Sequence, residues 1–189
     1  MRIILASASP RRRELLELLR VQRLEIIPAR SEEEPHPELS PAELVRELSR
    51  AKAAEVAEGN ADAIVIGADT VVSVDGAVLG KPVDEDDAKR MLTLLSARSH
   101  EVFTGVTVMK NGAAQSFVER TVVNFREISA DEMNAYVATG EPMDKAGAYG
   151  IQGLGSLFVE GIEGDFFNVM GLPLCRLGLI LKTLGVSLL

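Results

Sequence analysis

The first thirteen residues hold a group of side chains that could bind an anion. Two serines, Ser7 and Ser9, follow a short apolar run, and three consecutive arginines, Arg11 to Arg13, follow Pro10. We interpret this segment as a strand, a tight loop and the first turn of a helix, where free backbone N–H groups attract anions. Arginine forks add donors that suit phosphate oxygens. A solvated helix start with surface arginines is an equally good interpretation by spacing alone. However, positive charges in a first turn oppose the helix dipole by about 0.3–1 kcal/mol each, which favours a bound anion.

An acidic residue follows a predicted buried strand in the first half of the chain. Asp69 and Thr70 come directly after an apolar run over residues 63–68 that we interpret as a strand covered on both faces. Carboxylates at the ends of such strands commonly reach a cleft in α/β folds. Asp69 could therefore ligate Mg²⁺ or accept a proton from attacking water. The plainer alternative is an aspartate that only orders a turn.

Two lysines have sequence surroundings that favour contact with phosphate. Lys52 lies four residues after Leu48 on the apolar stripe of a predicted helix, and Lys81 is held between Gly80 and Pro82. Either ammonium group could neutralise phosphate oxygens as a point charge. For Lys52 taken alone, an aliphatic stem on the apolar stripe with its amine in water is the more common arrangement.

A glycine-rich segment over residues 140–153 is dense in polar side chains. Its four glycines indicate a backbone close to a ligand or to another segment. Gln152 carries both a donor and an acceptor and could therefore recognise the edge of a base. A connecting loop could also be rich in glycine, but it would not need Asp144, Lys145, Tyr149 and Gln152 so close together.

Charge and cysteine content exclude several classes of protein. The chain has 189 residues and a net charge of −8, which argues against binding to nucleic-acid polymers but allows a few clustered cations to hold a small polyanion. No apolar run reaches membrane-spanning length, and the stretch after Arg2 is too short for a secretory signal. The single cysteine, Cys175, fits a reducing cytoplasm, and its apolar helical surroundings predict a packing role. Neither His36 nor His100 has a partner at zinc-ligand spacing.

Alternating helical and strand patterns predict a mixed α/β fold in a single domain over residues 1–189. Capping boxes begin at Ser40 and Ser129, and Asn111-Gly112 predicts a tight hairpin turn. The predicted helices cover residues 10–19, 41–58, 84–96, 130–139 and 172–184. The predicted strands cover residues 2–6, 24–28, 63–68, 71–74, 77–79, 101–109, 114–125 and 157–162.

Several long segments together resemble the Maf family of nucleoside triphosphate pyrophosphatases. The resemblance covers nearly the whole chain, and its segments occur in the family's order. They are Leu5 to Arg12, Gly67 to Val72, Gly80-Lys81-Pro82, His100 to Val106, Thr139 to Gly153, and Gly164 to Leu174.

The resemblance implies a fold, a reaction and a set of cofactors and partners. The implied fold is a mixed twisted sheet with flanking helices that form two lobes around a central cleft, similar to inosine triphosphatases. The implied reaction converts a nucleoside triphosphate to the monophosphate and pyrophosphate with a divalent cation, Mg²⁺ or Mn²⁺. A homodimer in the cytoplasm is the family expectation, and a link to cell-division arrest is implied weakly.

The resemblance also assigns roles to particular residues. Asp69 is expected to activate the attacking water and, with Glu32, to hold the metal. Phosphate binding is expected from Ser7, Arg12, Lys52 and Lys81. Three positions resemble the branch that acts on dTTP and UTP, whereas the branch for 7-methyl-GTP has an aromatic residue, a glutamine and a glutamate there; these positions are Arg11, Thr70 and Gln152. Arg13 receives no role beyond a surface charge.

Three alternatives remain open at this point. The same reaction could act on 7-methyl-GTP or another modified nucleotide rather than on dTTP, UTP and modified pyrimidine nucleotides. The protein could instead be a nucleotide-binding regulator of division that performs no catalysis. A nucleic-acid-binding module is disfavoured by the acidic composition and by an aromatic content of only 4%.

Overall fold

The fold is built on one mixed β-sheet flanked by helices. The computed structural model describes residues 1–30 and 38–189, and the seven strands within these ranges form a single sheet. The strands are Ile3–Leu5 (β1), Leu24–Ile26 (β2), Ile64–Val74 (β3), Ala77–Leu79 (β4), Ser99–Lys110 (β5), Ala113–Phe125 (β6) and Val159–Glu163 (β7). The α-helices are Pro10–Leu18 (α1), Pro41–Glu58 (α2), Glu85–Leu95 (α3), Ala130–Val137 (α4), Phe166–Met170 (α5) and Leu174–Thr183 (α6). Three short 3₁₀ helices follow α4, at Glu141–Asp144, Ala146–Ala148 and Gly153–Phe158. The strand order is β2-β1-β3-β5-β6-β7, with β4 paired to β3 off this path.

The edge of β3 opposite β5 is divided between two short strands. β1 pairs in parallel with residues 64–66 of β3, and β4 pairs antiparallel with residues 72–74. β5 pairs with β3 on the other edge from Val65 to Ser73. Among the described residues, no strand pairs with the first edge between residues 67 and 71. This gap in the sheet opens a cleft beside Asp69 and Thr70.

Two hydrophobic cores occupy opposite ends of β3 on one face of the sheet. Ile64, Ile66 and Ala68 pack into the core that also contains buried residues of α1 and α6. Val72 and Val74 pack into a second core with α3 and α4. Since side chains alternate along a strand, Thr70 shares their face and lies between the two cores. The two cores form the two lobes that the resemblance implies, and the cleft lies where they meet.

Helix α2 packs very closely on the opposite face of the sheet. A Cβ built on Gly67 would lie 2.3 Å from the Ser49 carbonyl oxygen, and one built on Gly105 would lie 2.1 Å from the Val45 carbonyl oxygen. Real Cβ atoms essentially never approach other atoms within 3.0 Å, so only glycine at both positions allows this helix-to-sheet distance. α2 therefore holds Lys52 close to the sheet.

Local sequence signals were accurate for the ends of several elements. Ser40 and Ser129 both form the predicted capping boxes, at the starts of α2 and α4. The turn between β5 and β6 lies at Asn111 and Gly112, whose φ angles of 50° and 78° match the predicted tight hairpin.

Two expectations were wrong, and one short helix was missed. Asp69 does not follow a strand end but lies within β3, because β5 pairs with β3 continuously past this position. Cys175 is exposed rather than packed, since the apolar stripe of α6 passes through Leu174, Leu177 and Leu181 instead. Helix α5 was not predicted, because its five residues are too few for a periodic pattern. Among residues 1–30 and 38–189, no helix has both the length and the apolar character needed to span a bilayer.

Candidate active site

A cleft of about 980 Å³ opens at the gap in the edge of β3. It is at the upper end of the size range typical of small-molecule sites. The described residues that line it include more cations than carboxylates, although the whole chain carries a net charge of −8. The cations are Arg11, Arg12, Lys52, Lys81 and Lys145, and the carboxylates are Asp69 and Asp144. The cleft is therefore suited to a small polyanion.

Asp69 forms an ion pair with Lys52 at the cleft. The Lys52 ammonium Nζ lies 2.5 Å from Asp69 Oδ1, and Asp69 is only 7% exposed. Lys52 comes from α2 and Asp69 from the face of β3 on which α2 packs. The close helix-to-sheet approach at Gly67 and Gly105 thus brings the carboxylate and the ammonium group together. Lys52 does not follow the common arrangement in which its amine would extend into bulk water.

The loop between β1 and α1 places a hydroxyl donor at the cleft. Ser9 caps α1, because its Oγ accepts from the Arg12 backbone N–H at 3.5 Å. Ser7 Oγ accepts from the Ser9 backbone N–H at 3.3 Å and from Arg12 Nη1 at 3.1 Å. Both bonds use lone pairs of Ser7 Oγ, so its single hydroxyl proton is available to donate to a ligand oxygen.

Arg12 connects three segments that are far apart in the sequence. Its Nε donates to the Gly171 carbonyl oxygen at 2.9 Å, and its Nη1 donates to the Ala68 carbonyl oxygen at 2.9 Å. Its Nη2 donates to Thr70 Oγ1 at 2.9 Å. Through these bonds and its bond to Ser7, Arg12 holds the loop, β3 and the turn after α5 in one arrangement. The side chain satisfies the Ala68 carbonyl group in the gap beside β3.

Arg11 makes a contact across the cleft with the glycine-rich segment. Its Nη1 lies 3.3 Å from Asp144 Oδ2, and Lys145 Nζ lies 2.6 Å from Asp144 Oδ1. Burial raises the pKa of the Asp144 carboxyl, but the hydrogen bond from Lys145 and the charge of Arg11 outweigh it and leave the pKa lowered. Asp144 therefore stays ionised and links the two sides of the cleft.

Glu141 organises the segment that carries Gln152, and the sequence analysis did not identify it. Its Oε1 accepts from Tyr136 OH at 3.0 Å and from the Gly155 backbone N–H at 3.1 Å, and its Oε2 accepts from the Leu154 backbone N–H at 3.1 Å. Burial raises the pKa of Glu141, but these backbone hydrogen bonds outweigh that effect and leave the pKa lowered. The exposed Gln152 lies at the cleft immediately before this clamped turn. The sequence signal that could have indicated Glu141 is its position directly after Gly140, at the start of the glycine-rich segment.

Lys81 also lines the cleft, next to a backbone contact with the glycine-rich segment. It is exposed, and it makes no hydrogen bond or ion pair with the described part of the chain. The Gly80 carbonyl oxygen accepts from the Gly147 backbone N–H at 3.0 Å, which fixes the backbone next to Lys81. An anchored backbone with an unpaired ammonium group suits an anion that enters from solvent.

The wall behind the glycine-rich segment is uncharged. His100 Nε2 lies 2.8 Å from Tyr149 OH, and both rings pack edge-on against Phe125. Burial lowers the pKa of His100 to about 4 and raises the pKa of Tyr149. Both side chains are therefore neutral at pH 7, so His100 is a buried structural residue rather than a cleft cation.

The predicted site residues that the structure describes are brought together, and Arg13, which was given only a surface charge, lies apart from them. Ser7, Arg11, Arg12, Lys52, Asp69, Thr70, Lys81 and Gln152 all line the cleft. Arg13 instead forms an exposed pair with Glu17, where Nε and Oε1 lie 2.7 Å apart. Glu32 lies outside the described residues.

The cleft suits a divalent cation of the magnesium type. Among residues 1–30 and 38–189, no group of three or more His, Cys, Asp or Glu side chains could hold a metal. The described carboxylates of the cleft are Asp69, whose Oδ1 accepts from Lys52, and Asp144, whose two oxygens accept from Arg11 and Lys145. Mg²⁺ is commonly held by one or two carboxylates together with substrate phosphates and water, rather than by a closed protein cage. A single cleft carboxylate such as Asp69 is compatible with that mode of binding.

The chain is similar to known proteins over nearly its whole length. The chain is 50% identical over 186 residues to a Bacillus cereus strain B4264 protein named dTTP/UTP pyrophosphatase, covering 98% of this chain and 97% of that protein. A protein of the same name from Bacillus thuringiensis subsp. konkukian matches with the same identity and the same coverage. The solved structure of the Staphylococcus aureus Ham1 protein is 13% identical with a TM-score of 0.49, over 66% of this chain and 72% of that one.

A protein-family model adds the last piece of evidence. The model described as Maf-like protein matches residues 2–184. This match spans both lobes, the cleft between them and every residue that lines it. The chain belongs to the Maf family.

Proposed function

We propose that the protein hydrolyses dTTP and UTP to the monophosphate and pyrophosphate with the help of a divalent cation. The observation that carries this proposal is the Asp69–Lys52 ion pair in a cationic cleft, since this is where a carboxylate can meet a polyphosphate. Relatives named dTTP/UTP pyrophosphatase, which are 50% identical over 98% of this chain, support the reaction and the substrates.

The triphosphate is bound by groups on three sides of the cleft. Ser7 donates its hydroxyl proton to a phosphate oxygen, and Lys81 adds a positive charge from the margin. Lys52 and Arg12 add charge from α2 and α1. Because Arg12 already donates to protein acceptors, it contributes mainly as a fixed positive charge held in place. Preorganised charges of this kind stabilise the transition state without reorganising during the reaction.

Asp69 acts on the attacking water. Its carboxylate accepts the proton of a water molecule that attacks the α-phosphorus in line, the bond from that phosphorus to the bridging oxygen breaks, and pyrophosphate leaves. Lys52 orients the carboxylate through its hydrogen bond. Positioning of this type, together with proton transfer, supplies the rate enhancement.

A divalent cation, Mg²⁺ or Mn²⁺, would be held by Asp69 and by Glu32, which lies outside the described residues. When bound, it supplies neutralisation of the negative charge on the phosphate oxygens. The test of this assignment is a comparison of turnover with and without added metal.

Base choice is assigned to Arg11, Thr70 and Gln152. The three side chains line the same cleft, and Gln152 is exposed to a ligand on the segment that Glu141 clamps. We propose that they select thymine, uracil and modified pyrimidines, which would keep non-standard nucleotides out of nucleic acids. A role in cell-division arrest remains part of this proposal.

The domain organisation, the oligomeric state and the cellular location of the protein are also proposals. We propose that residues 1–189 act as a single domain, which assembles as a homodimer in the cytoplasm. The single cysteine supports a reducing compartment, and twofold symmetric dimers are the commonest oligomers.

The proposed function is tested by a screen of the purified protein against natural and modified nucleoside triphosphates, with and without Mg²⁺ or Mn²⁺. Chromatography of the products distinguishes pyrophosphate from orthophosphate. We expect pyrophosphate with UMP from UTP and with dTMP from dTTP. Faster hydrolysis of 7-methyl-GTP would overturn the base assignment, and tight binding with no product would indicate a regulator instead.

A further inference from the structure

A buried polar layer lies directly behind Thr70. Thr70 Oγ1 is 2.9 Å from Thr104 Oγ1, and Thr104 Oγ1 is 3.0 Å from the Asn168 carbonyl oxygen. Thr104 and Asn168 are both fully buried. This layer separates the two hydrophobic cores, and none of the roles assigned above uses Thr104 or Asn168.

Only one arrangement of the hydroxyl protons makes each of these contacts a hydrogen bond. The backbone carbonyl oxygen of Asn168 can only accept, so Thr104 must donate its single proton to it. Thr104 then has only lone pairs to offer Thr70, so Thr70 donates to Thr104. Arg12 Nη2 donates to Thr70 Oγ1 on the remaining side. The Thr70 proton therefore points into the protein, away from the cleft.

The consequence is a hydroxyl that can only accept from a ligand. A hydroxyl has one proton and two lone pairs. The Thr70 proton is used by Thr104 and one lone pair by Arg12, which leaves a single lone pair for the cleft. Uracil and thymine carry an N3–H donor, whereas the N3 atom of cytosine is an acceptor. Cytosine donates only from its N4 amino group, so a hydroxyl fixed as an acceptor toward the N3 position favours uracil over cytosine.

We propose that Thr104 and Asn168 are positioning residues for base selection, because they fix Thr70 as a hydrogen-bond acceptor toward the nucleotide. This inference rests on the proposed function, in which Thr70 contacts the base. It adds two buried residues to the specificity machinery and names the pyrimidine that they reject.

Asn168 is itself held rigidly. Its Nδ2 donates to the Val102 carbonyl oxygen at 3.0 Å and to Thr121 Oγ1 at 2.9 Å. Thr121 Oγ1 in turn donates to the Asp165 carbonyl oxygen and accepts from the Asp165 backbone N–H, both at 3.0 Å. These bonds fix the short helix α5 against β5 and β6, so the Asn168 carbonyl oxygen stays where Thr104 requires it.

The test compares Thr104→Val with two related variants. Valine keeps the shape of threonine but cannot accept the Thr70 proton, which is then free to turn toward the cleft. Thr104→Ser restores the hydroxyl. Thr107→Val is the matched control, because Thr107 is equally buried on the same strand but contacts Ser49 and Ser116 rather than Thr70.

The measurement is the affinity of each variant for UMP and for CMP by titration calorimetry. We expect the wild type to prefer UMP and Thr104→Val to lose about tenfold of that preference, the factor that one ordinary hydrogen bond supplies. Thr104→Ser and Thr107→Val should keep the wild-type preference even if Thr107→Val lowers Tm.

Each other outcome is decisive. An unchanged ratio of UMP to CMP affinity in Thr104→Val, or an equal loss in Thr107→Val, would overturn the inference. Equal wild-type affinity for the two nucleotides would also overturn it. A wild type that prefers UMP and releases no pyrophosphate from UTP would contradict the proposed function, while the expected result in Thr104→Val would still support this inference.

Discussion

The close packing of α2 on the sheet makes Gly105 a sensitive test of how the site is positioned. In Gly105→Ala, the new Cβ would lie 2.1 Å from the Val45 carbonyl oxygen and 2.4 Å from the Val45 carbonyl carbon. These are backbone atoms, so no side-chain rotation relieves the overlap. Ordinary contact begins at 3.4 Å, so α2 must move away from β5 by more than about 1 Å.

That displacement acts directly on the ion pair between Lys52 and Asp69. Gly105 is opposite Asp69 in the β3–β5 ladder, and Lys52 is carried by the helix that must move. A contact of 2.5 Å between Lys52 and Asp69 cannot survive such a shift unchanged. A misplacement of about 1 Å in a catalytic group can cost 10²-fold in rate. Overpacking should also destabilise the fold by about 1–3 kcal/mol, which lowers Tm by roughly 2–4 °C per kcal/mol.

The assay is the release of pyrophosphate from UTP, measured alongside thermal unfolding. Gly59→Ala is the matched control, because Gly59 ends the same helix and a Cβ there would meet nothing within 4 Å. We expect Gly105→Ala to lose about 10²-fold in kcat/KM and Gly59→Ala to keep wild-type values. Wild-type turnover in a folded Gly105→Ala protein would refute the reasoning that helix-to-sheet distance positions the site.

Three further predictions concern other parts of the site. Lys52→Met removes the hydrogen bond that orients Asp69, so kcat with UTP should fall about 10²-fold. A kcat within about twofold of wild type would contradict the orienting role of Lys52. Glu141→Gln weakens the clamp on the segment that carries Gln152, so KM for UTP should rise about tenfold with little change in kcat; an unchanged KM would remove Glu141 from substrate binding. Burial lowers the pKa of His100 to about 4 from 6.5, so the unfolded chain binds a proton first as the pH falls. The contribution of His100 to the free energy of unfolding is fully present above pH 6.5 and declines toward pH 4 by up to about 3 kcal/mol. Urea unfolding across that range should show the decline, and His100→Gln should flatten it.

Sequence patterns predicted the elements whose signals are local. Ser40 and Ser129 specify helix starts through contacts three residues away, and Asn111-Gly112 specifies a turn through its own backbone angles. The cleft residues were also found from sequence, because a carboxylate after an apolar run and arginines after a small-residue loop are unusual in themselves. The family resemblance then joined them into one site.

Local sequence patterns could not predict the long-range contacts. The bonds of Arg12 cross 56 to 159 residues of sequence, and no local pattern records their acceptors. Thr104 and Asn168 carry no local signal of a shared role, which becomes visible only when the strand register places Thr104 opposite Thr70. Asp69 was misplaced at a strand end because the pairing of β5, which continues the strand, is decided by a segment more than thirty residues later.

The central claim is that Asp69 directs water to the α-phosphorus of a pyrimidine nucleoside triphosphate. It is tested most directly by hydrolysis of UTP with Mg²⁺ in ¹⁸O-labelled water, followed by mass spectrometry of both products from the wild type and Asp69→Asn. We expect the label to enter UMP, the pyrophosphate to be unlabelled, and Asp69→Asn to be slower by about 10²–10⁴-fold. Label in pyrophosphate, release of orthophosphate, or near-normal turnover by a folded Asp69→Asn variant would contradict it.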